Sequence, residues 1–558
     1  MTRTRSHLGS SLFARVLGML AVLALAVSTL VATTQSSAVA ATANGTGTGY
    51  LSTKGNQIVD ASGATVRLTG INWFGMETDN KTFHGLWAGV TWKSMIDHMA
   101  QLGYNTIRVP YAGDALKPGA VASSVNTNTN PDLVGLSPLE ILDKVVDYAG
   151  SLGMRIILDR HRPTSAGQTA LWYTPAVSEA SMIADWQLLA KRYAGNPTVV
   201  GADLFNEPHA EGTYPNGTGS CWGCGDTARD WRLAAERIGN AVHAANPSWL
   251  VLVEGVSCLD GSVANTWDAI PDDPNACSWW GGNLSGVAKN PVRLNVANKL
   301  VYSAHDYGIS VYDHQDWFDT VKHPDFPANL PATWDYYWGY IYKQNIAPVL
   351  VGEFGSTLRD PRDVQWMNAL VKYMGTGSSG MSFTYWSWNP DSGDTGGIVQ
   401  DDWVTVNTNK QSILQPALVP PVKPGSTPTS TPTSTPTTTS SPTTTPTPTP
   451  TPTATGKCTA TVALTNSWST GFQAAVTAKN TGSTALSPWV VSFTVPAGVT
   501  IGSGWNGTFT QSGTTVTVTA PSWNASLAAG ATASVGFTAN GTSTPPPGAI
   551  KLNGAICS

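Results

Sequence analysis

The sequence predicts an α/β catalytic body, a (β/α)8 barrel, followed by a small all-β sandwich, the two joined by a disordered Pro/Thr/Ser-rich tether. Three observations carry this. Eight short apolar runs recur between Leu51 and Leu418, with longer segments between them, several of helical periodicity; that is the arithmetic of a barrel of strand–helix repeats. Residues 426–453 contain only Ser, Thr and Pro, with eight prolines. Residues 457–558 carry period-two alternation typical of a sandwich. A doubly wound open sheet is the alternative for the first body, but no Gly-rich dinucleotide or phosphate fingerprint follows its first strand.

Taken in order, residues 1–40 read as a secretory signal. Arg3, Arg5 and Arg15 precede an apolar run from Val16 to about Ala32, and Ala38-Val39-Ala40 offers a small-x-small cleavage site. An uncleaved anchor is the rival reading, since the run approaches the length of a membrane span. No adjacent arginine pair marks twin-arginine export. Residues 41–50 read as a disordered lead-in, and 41–418 as the barrel. Its strands are expected at Val66–Ile71, Thr106–Val109, Arg155–Leu158, Val199–Leu204, Leu250–Val253, Leu300–Ser303, Pro348–Val351 and Met381–Tyr385. The clearest helix is Ser137–Ser151. Ser137 caps it, Pro138 takes the first helical position and Glu140 completes a capping box. Ile141, Leu142, Val145, Val146 and Ala149 make its apolar face, and Gly153 follows its end.

The tether is placed at 419–456. Its composition cannot bury a core, so it should be extended and semi-rigid, with a reach on the order of 100 Å at ~3.1 Å per residue. The last body, 457–558, contains no Asp and no Glu, and so has no carboxylate for acid/base work. Of its four tryptophans, Trp489 shares a face with Val491, Phe493 and Val495 and reads as core. Trp468, Trp505 and Trp523 stand among Ser, Gly, Asn and Thr and read as rings for stacking on a polymer.

Export makes the six cysteines disulfide partners. Cys458 and Cys557 bracket the last body almost end to end. Cys221 and Cys224 share a Cys-x-x-Cys stretch, and Cys258 and Cys277 remain as a third pair. A zinc site or redox dithiol fits poorly, because that stretch stands alone in an exported chain.

Composition narrows the function. Charged residues are 12% of the chain, the formal net charge is −5, and no Lys/Arg block lies beyond the N-terminus, which excludes the electrostatic footprint of a nucleic-acid binder. The 22 Trp and 16 Tyr residues suit a neutral, stackable partner such as a sugar. In a barrel the chemistry lies at the carboxyl ends of the strands. Four glutamates fall there: Glu77, Glu207, Glu254 and Glu353. Glu140, Glu179 and Glu236 lie in helical text and Glu211 in a loop. Spacing does not choose a pair from the four. Glu207 has Asn206 beside it and Pro208 after it, and Glu353 is flanked by Gly352 and, two residues on, Gly355. Other strand ends contribute Arg108, His161, His305, Tyr307 and Trp386. Two carboxylates ringed by Arg, His, Tyr and Trp suit glycoside cleavage, in which one carboxyl protonates the leaving oxygen while the other attacks or supports the oxocarbenium-like centre.

At these residues the chain resembles a known family. Arg108, His161, Asn206-Glu207-Pro208, His305-x-Tyr307, Gly352-Glu353-Phe354-Gly355 and Trp386 occur in the order and on the strands of glycoside hydrolase family 5. Gly70-Ile71-Asn72-Trp73-Phe74-Gly75 and the run from Trp386 to Gly397 resemble its secreted bacterial endo-β-1,4-glucanases (cellulases). The last body resembles a family 2 carbohydrate-binding module of the cellulose-binding kind. Some relatives carry a disulfide at positions that are Asp79 and Thr164 here.

The resemblance implies roles. Glu207 would be the acid/base and Glu353 the nucleophile of a retaining mechanism, their carboxyls about 5–5.5 Å apart. Arg108 would hold Glu353 by charge and hydrogen bonding, and Tyr307 would position it. Asn206 would bond the sugar 2-hydroxyl, and His161 and His305 would line the cleft. Trp386, with Trp87 and Trp280, would supply stacking platforms, while Glu254 falls to a structural role. No cofactor and no metal is implied; the loop with Asp391, Asp394, Asp401 and Asp402 could bind a cation but reads as solvated. The expectation is a secreted monomer acting on cellulose. Mannan, xyloglucan or another β-glucan is the alternative substrate, and a non-catalytic polysaccharide-binding protein the more distant one.

Overall fold

A computed structural model describes residues 45–263, 277–424, 457–468, 471–505, 507–520, 525–541 and 550–557. The signal at 1–40, most of the tether and Trp523 lie outside these residues. The chain divides into two units.

In the first unit a small antiparallel sheet, β1 (Ser52–Lys54), β2 (Gln57–Val59) and β3 (Thr65–Val66), precedes the barrel. The barrel strands are β4 (Thr69–Asn72), β5 (Thr106–Ala112), β6 (Arg155–Arg162), β7 (Val199–Asp203), β8 (Leu250–Glu254), β9 (Leu300–Tyr307), β10 (Val349–Gly355) and β11 (Ser382–Tyr385). Every neighbouring pair is parallel, and β11 returns to β4 through Phe383↔Thr69, so the sheet closes. Leu51, Ile58 and Val66 pack with Leu68, Ile157, Val200, Leu250, Leu252, Val301 and Leu350. The small sheet therefore floors the barrel at the amino ends of its strands, which leaves the carboxyl ends for the site.

Amphipathic helices cover the outside. The first three are α1 (Trp92–Leu102), α2 (Pro138–Ser151) and α3 (Glu179–Arg192). In α2 the capping box is formed: Ser137 Oγ accepts from Glu140 N at 3.4 Å, and Glu140 Oε2 accepts from Ser137 N at 2.8 Å. Ile141, Leu142, Val145, Val146 and Ala149 are its buried face.

Four expectations need correction. The run Val66–Ile71 is two strands, because Arg67 is buried and turns its guanidinium into the carbonyls of Met374, Gly375, Gly377 and Met381. Residues 45–50 are tied down: Thr46 donates to Gly153 O, and Arg155 Nη2 donates to the carbonyls of Thr46 and Gly47. At the other end, Val419, read as the first residue of the tether, exchanges hydrogen bonds with Thr69 and Asn105 of the barrel. Most barrel strands also run further toward their carboxyl ends than their apolar runs do, taking His161, Glu254, His305, Tyr307 and Glu353 into the ladder.

The second unit is a sandwich of two antiparallel sheets. One has four strands, β12 (Cys458–Trp468), β13 (Gly471–Asn480), β18 (Thr532–Asn540) and β15 (Thr500–Trp505) in that order. The other has five, β16 (Thr508–Ser512), β17 (Thr515–Thr519), β14 (Val490–Thr494), β19 (Lys551–Leu552) and β20 (Ala555–Ile556) in that order. Trp489, Val491, Phe493 and Val495 are buried together with Phe472, Val476, Val518 and Phe537. Disulfides join Cys458–Cys557, Cys221–Cys224 and Cys258–Cys277.

Candidate active site

Arg108, near the middle of β5, is the hub of the barrel mouth. No part of it is exposed, and a buried guanidinium persists only where its donors are met. Nη1 donates to Glu353 Oε1 at 2.5 Å and to Asn72 Oδ1 at 3.0 Å. Nε donates to Asp203 Oδ2 at 2.9 Å. Nη2 donates to Asn206 Oδ1 at 3.1 Å and Glu254 Oε1 at 3.0 Å, and stands 3.2 Å from Asp159 Oδ2. Burial alone would lower its pKa, but Asp159, Asp203, Glu353 and Glu254 together raise it well above the ordinary range. Four strands thus aim carboxylates at one cation.

Glu353 is fixed at both oxygens. Opposite Arg108, its Oε2 accepts from Tyr307 Oη at 2.6 Å. Burial and then the charge of Glu353 raise the Tyr307 phenol well above its usual pKa, so it stays a donor.

Glu207 sits where the chain leaves β7. Leu204 and Phe205 are buried, and Pro208 ends any extended run. Glu207 itself adopts φ 52°, a left-handed conformation that costs a side-chain-bearing residue energy and is held by its surroundings. Its backbone N–H donates to Glu254 Oε2 at 2.7 Å. Its Oε1 lies 3.0 Å from His305 Nδ1, and its Oε2 accepts from Gln168 Nε2 at 2.8 Å. Burial would raise its pKa, but the hydrogen bond and charge of His305, with Gln168, hold the carboxyl below its ordinary value. For His305 burial acts downward, yet Glu254 and Glu353 raise the imidazole well above its ordinary value. His161 is the opposite case. Burial pushes it down to about 4, so it is neutral; Nδ1 is 2.7 Å from Asp159 Oδ2, and Nε2 faces Asn206 Nδ2 at 3.5 Å.

Rings line the cleft beside this cluster. Trp386 stacks on His161 (5.5 Å, 9°) and on Phe74 (5.3 Å, 10°). His84 then bridges Phe74 to Trp87, which is exposed and meets Trp403 edge-on. Trp280, also exposed, lies flat on His209 at 3.7 Å. Asp391, read from the sequence as solvated, pairs with His84 at 2.8 Å.

The mouth thus assembles Arg108, His161, Asn206, Glu207, His305, Tyr307 and Glu353, with Trp386 against them; Trp87 and Trp280 stand further out. Glu77 braces the turn after β4, its carboxylate accepting from Gly75 N at 2.7 Å, and its charge reaches His161. Sequence reasoning passed over Asp159, Asp203 and Gln168 and set Glu254 aside. For the three acids a signal existed, an acidic residue at the end of an apolar run. Three carboxylate sets, Asp159/His161/Glu353, Glu207/His305/Glu353 and Asp159/Asp203/Glu254, have ligand-capable atoms within 4.8 Å of one another. Arg108 already pairs with carboxylates of the first and third sets, and in the second His305 is itself a member, so a divalent ion would compete with cationic groups already held there.

In the second unit, register places residues 468 and 505 on one face of the four-stranded sheet. Trp468 lies opposite Gly471 and Trp505 opposite Gly536. The buried positions alternate with these, at Phe472, Ala474 and Val476 on β13 and at Val535, Phe537 and Ala539 on β18. The two tryptophan positions are thus on the face away from the core.

Comparison with known proteins agrees with this division. Residues 59–392 match Cellulase (glycosyl hydrolase family 5), and residues 458–557 match Cellulose binding domain. The chain is similar to an endoglucanase of Paenibacillus polymyxa, 51% identical over 66% of this chain and 86% of that protein. It is also similar to the major extracellular endoglucanase of Xanthomonas campestris pv. campestris, 42% identical over 88% of this chain and 94% of that one. Among solved structures, an endocellulase of Pyrococcus horikoshii in complex with cellotetraose is 42% identical with a TM-score of 0.61, covering 67% of this chain and 99% of that chain.

Proposed function

The chain belongs to glycosyl hydrolase family 5 and is an endo-1,4-β-glucanase with a cellulose-binding module; we propose that it cleaves cellulose with retention, outside the cell, using Glu353 as nucleophile and Glu207 as acid/base. The carrying observation is a distance. One carboxylate oxygen of Glu207 and one of Glu353 lie within 4.8 Å of each other. An inverting pair stands ~6.5–9.5 Å apart to admit a water, whereas a retaining pair is ~5–5.5 Å apart.

Each neighbour then has a part. Glu353 attacks the anomeric carbon while protonated Glu207 gives its proton to the departing oxygen, leaving a glycosyl ester on Glu353. Glu207, now a carboxylate, takes a proton from water as that water attacks the ester, which restores both groups. Arg108 and Tyr307 hold Glu353 in line. Asn206, braced by Arg108 and His161, presents its amide toward the sugar 2-hydroxyl, a contact that strengthens in the transition state. Trp386 offers a flat ring beside the nucleophile. The Trp468, Trp505 and Trp523 positions of the second body stack on glucan chains and keep the barrel near insoluble polymer.

Anomeric analysis tests this directly. Proton NMR of cellotetraose hydrolysis should show the β-anomer first, mutarotating later. Initial α-product would overturn the double displacement. Initial rates on carboxymethylcellulose against mannan and xyloglucan fix the preferred polymer, with cellulose derivatives expected to be faster.

A further inference from the structure

Glu254 ends β8 fully buried, yet its contacts are those of a working group. Oε2 accepts the backbone N–H of Glu207 at 2.7 Å and so helps hold that residue at φ 52°. Oε1 lies 3.0 Å from Arg108 Nη2 and 3.3 Å from His305 Nε2. The other ring nitrogen, Nδ1, is 3.0 Å from Glu207 Oε1. One imidazole therefore stands between two carboxyl groups: Nδ1 is hydrogen-bonded to Glu207, and Nε2 faces Glu254 at ion-pair distance with no hydrogen bond yet formed. The loop above fits closely over them: Gly281 has φ 70°, and a Cβ there would lie 2.5 Å from Glu254 Oε2 and 3.5 Å from Glu207 Cα. Bulk water is kept from the inner carboxyl.

We propose that Glu254 is a positioning residue and proton reservoir for Glu207, the two exchanging one proton through the imidazole of His305. The inference rests on the acid/base reading of Glu207. Two protons are shared by three groups. In one form Glu254 is protonated and donates to Nε2, while Nδ1–H donates to ionised Glu207. Breaking the Glu254 O–H bond and forming Nε2–H gives an imidazolium between two carboxylates. Breaking Nδ1–H and forming O–H on Glu207 then gives the acid that glycosylation needs, with the negative charge left on Glu254 beside Arg108. The surrounding charges come from every neighbouring strand: Arg108 from β5, Asp159 and His161 from β6, Asp203 from β7, Tyr307 from β9 and Glu353 from β10. Burial first, and the charge of Asp203, push the Glu254 carboxyl up to about 8 against the pull of His305 and Arg108, so a proton is available there at neutral pH.

The test is Glu254→Gln in the full chain, which keeps the acceptor for Glu207 N–H but carries no transferable proton. kcat/KM is followed against pH on cellotetraose and on an aryl cellobioside with an activated leaving group. On cellotetraose the alkaline limb should move down by about one pH unit, because the charge left on Glu254 no longer supports protonated Glu207; on the activated substrate it should stay. An unmoved limb, or an equal loss at all pH on both substrates, overturns the proposal. Should the variant not fold, the wild-type enzyme decides: the ¹⁵N shifts of His305 should change through the alkaline limb, and shifts constant across it overturn the exchange. Glu207→Ala in the same assays separates the two readings. Equal losses on both substrates remove the acid/base role itself, whereas a selective loss beside an unmoved limb in E254Q removes only the reservoir.

Discussion

Protonation decides what the carboxylates at the mouth do. In the free enzyme His305 and Gln168 favour ionised Glu207, the form wanted for the second step; the acid form must be supplied for the first. Glu207→Ala should therefore cost ~10²–10⁴-fold on cellotetraose, the usual worth of a general acid, and far less on activated aryl cellobiosides that leave without protonation. Steady-state rates on both check this, and equal losses would sink the assignment. The same groups set stability against pH. Asp306, buried beneath the indole N–H groups of Trp334 and Trp366, is pushed up to about 7 by burial, and Glu254 up to about 8. A folded pKa above the unfolded one contributes stability at low pH that is lost as pH rises. His98 and His161, pushed down to about 4 by burial, work oppositely, but only below the ordinary imidazole value of 6.5. Between pH 6.5 and 8 the carboxyls and the raised His305 dominate, with Lys410, pushed down to about 8 by burial, opposing them only toward the top of the interval, so the urea midpoint of the barrel should fall over it. A flat or rising midpoint would contradict these assignments.

Strands explain both what sequence could see and what it could not. The pattern of short apolar runs and helix caps located all eight barrel strands and α2, because burying those side chains is what drives their formation. It stopped short at the carboxyl ends, since a run such as Leu158-Asp159-Arg160-His161 reads as a strand giving way to a loop. There the ladder continues because each polar side chain meets another across the mouth: Asp159 meets Arg108 and His161, and Asp203 meets Arg108. That complementarity exists only once β5, β6, β7 and β8 are adjacent in the barrel, so no local pattern carries it. Glu254 was set aside for the same reason; its partners lie 47 and 146 residues away in the chain. In the sandwich the pattern sufficed. Trp489, preceding β14, is buried among Phe493, Val518 and Phe537. Trp489→Ala should destabilise the module by roughly 3–5 kcal/mol, as loss of a core aromatic does. Denaturation of residues 457–558 alone checks this, and a shift below ~1 kcal/mol would place the indole outside the core.

For the whole molecule, the division of labour follows from where carboxylates are. Every Asp and Glu precedes residue 457, and the last body holds none; it therefore adds no acid/base chemistry, and its three lysines meet an uncharged polymer. Each unit has its own core and its own disulfides, so neither needs the other to fold. We place the tether between them, where a Ser/Thr/Pro composition disfavours collapse and keeps a semi-rigid reach. Its effect is on local concentration: once the module is adsorbed, the barrel meets polymer at a concentration set by the tether rather than by the bulk. Removing residues 425–558 should therefore leave kcat/KM on soluble carboxymethylcellulose within about twofold, because a dissolved chain gains little from tethering. On microcrystalline cellulose the truncated enzyme should lose most of its adsorption, and its sugar release should fall most at low enzyme loading. Residues 457–558 alone should still adsorb, and do so almost independently of salt, since ring stacking on a neutral sugar offers nothing for ions to screen. Pull-down from microcrystalline cellulose at low and high salt measures all three proteins together. If the truncated barrel adsorbs as well as the full chain, the second body is not the anchor; if adsorption of the module collapses with salt, its lysines rather than its tryptophans hold the polymer.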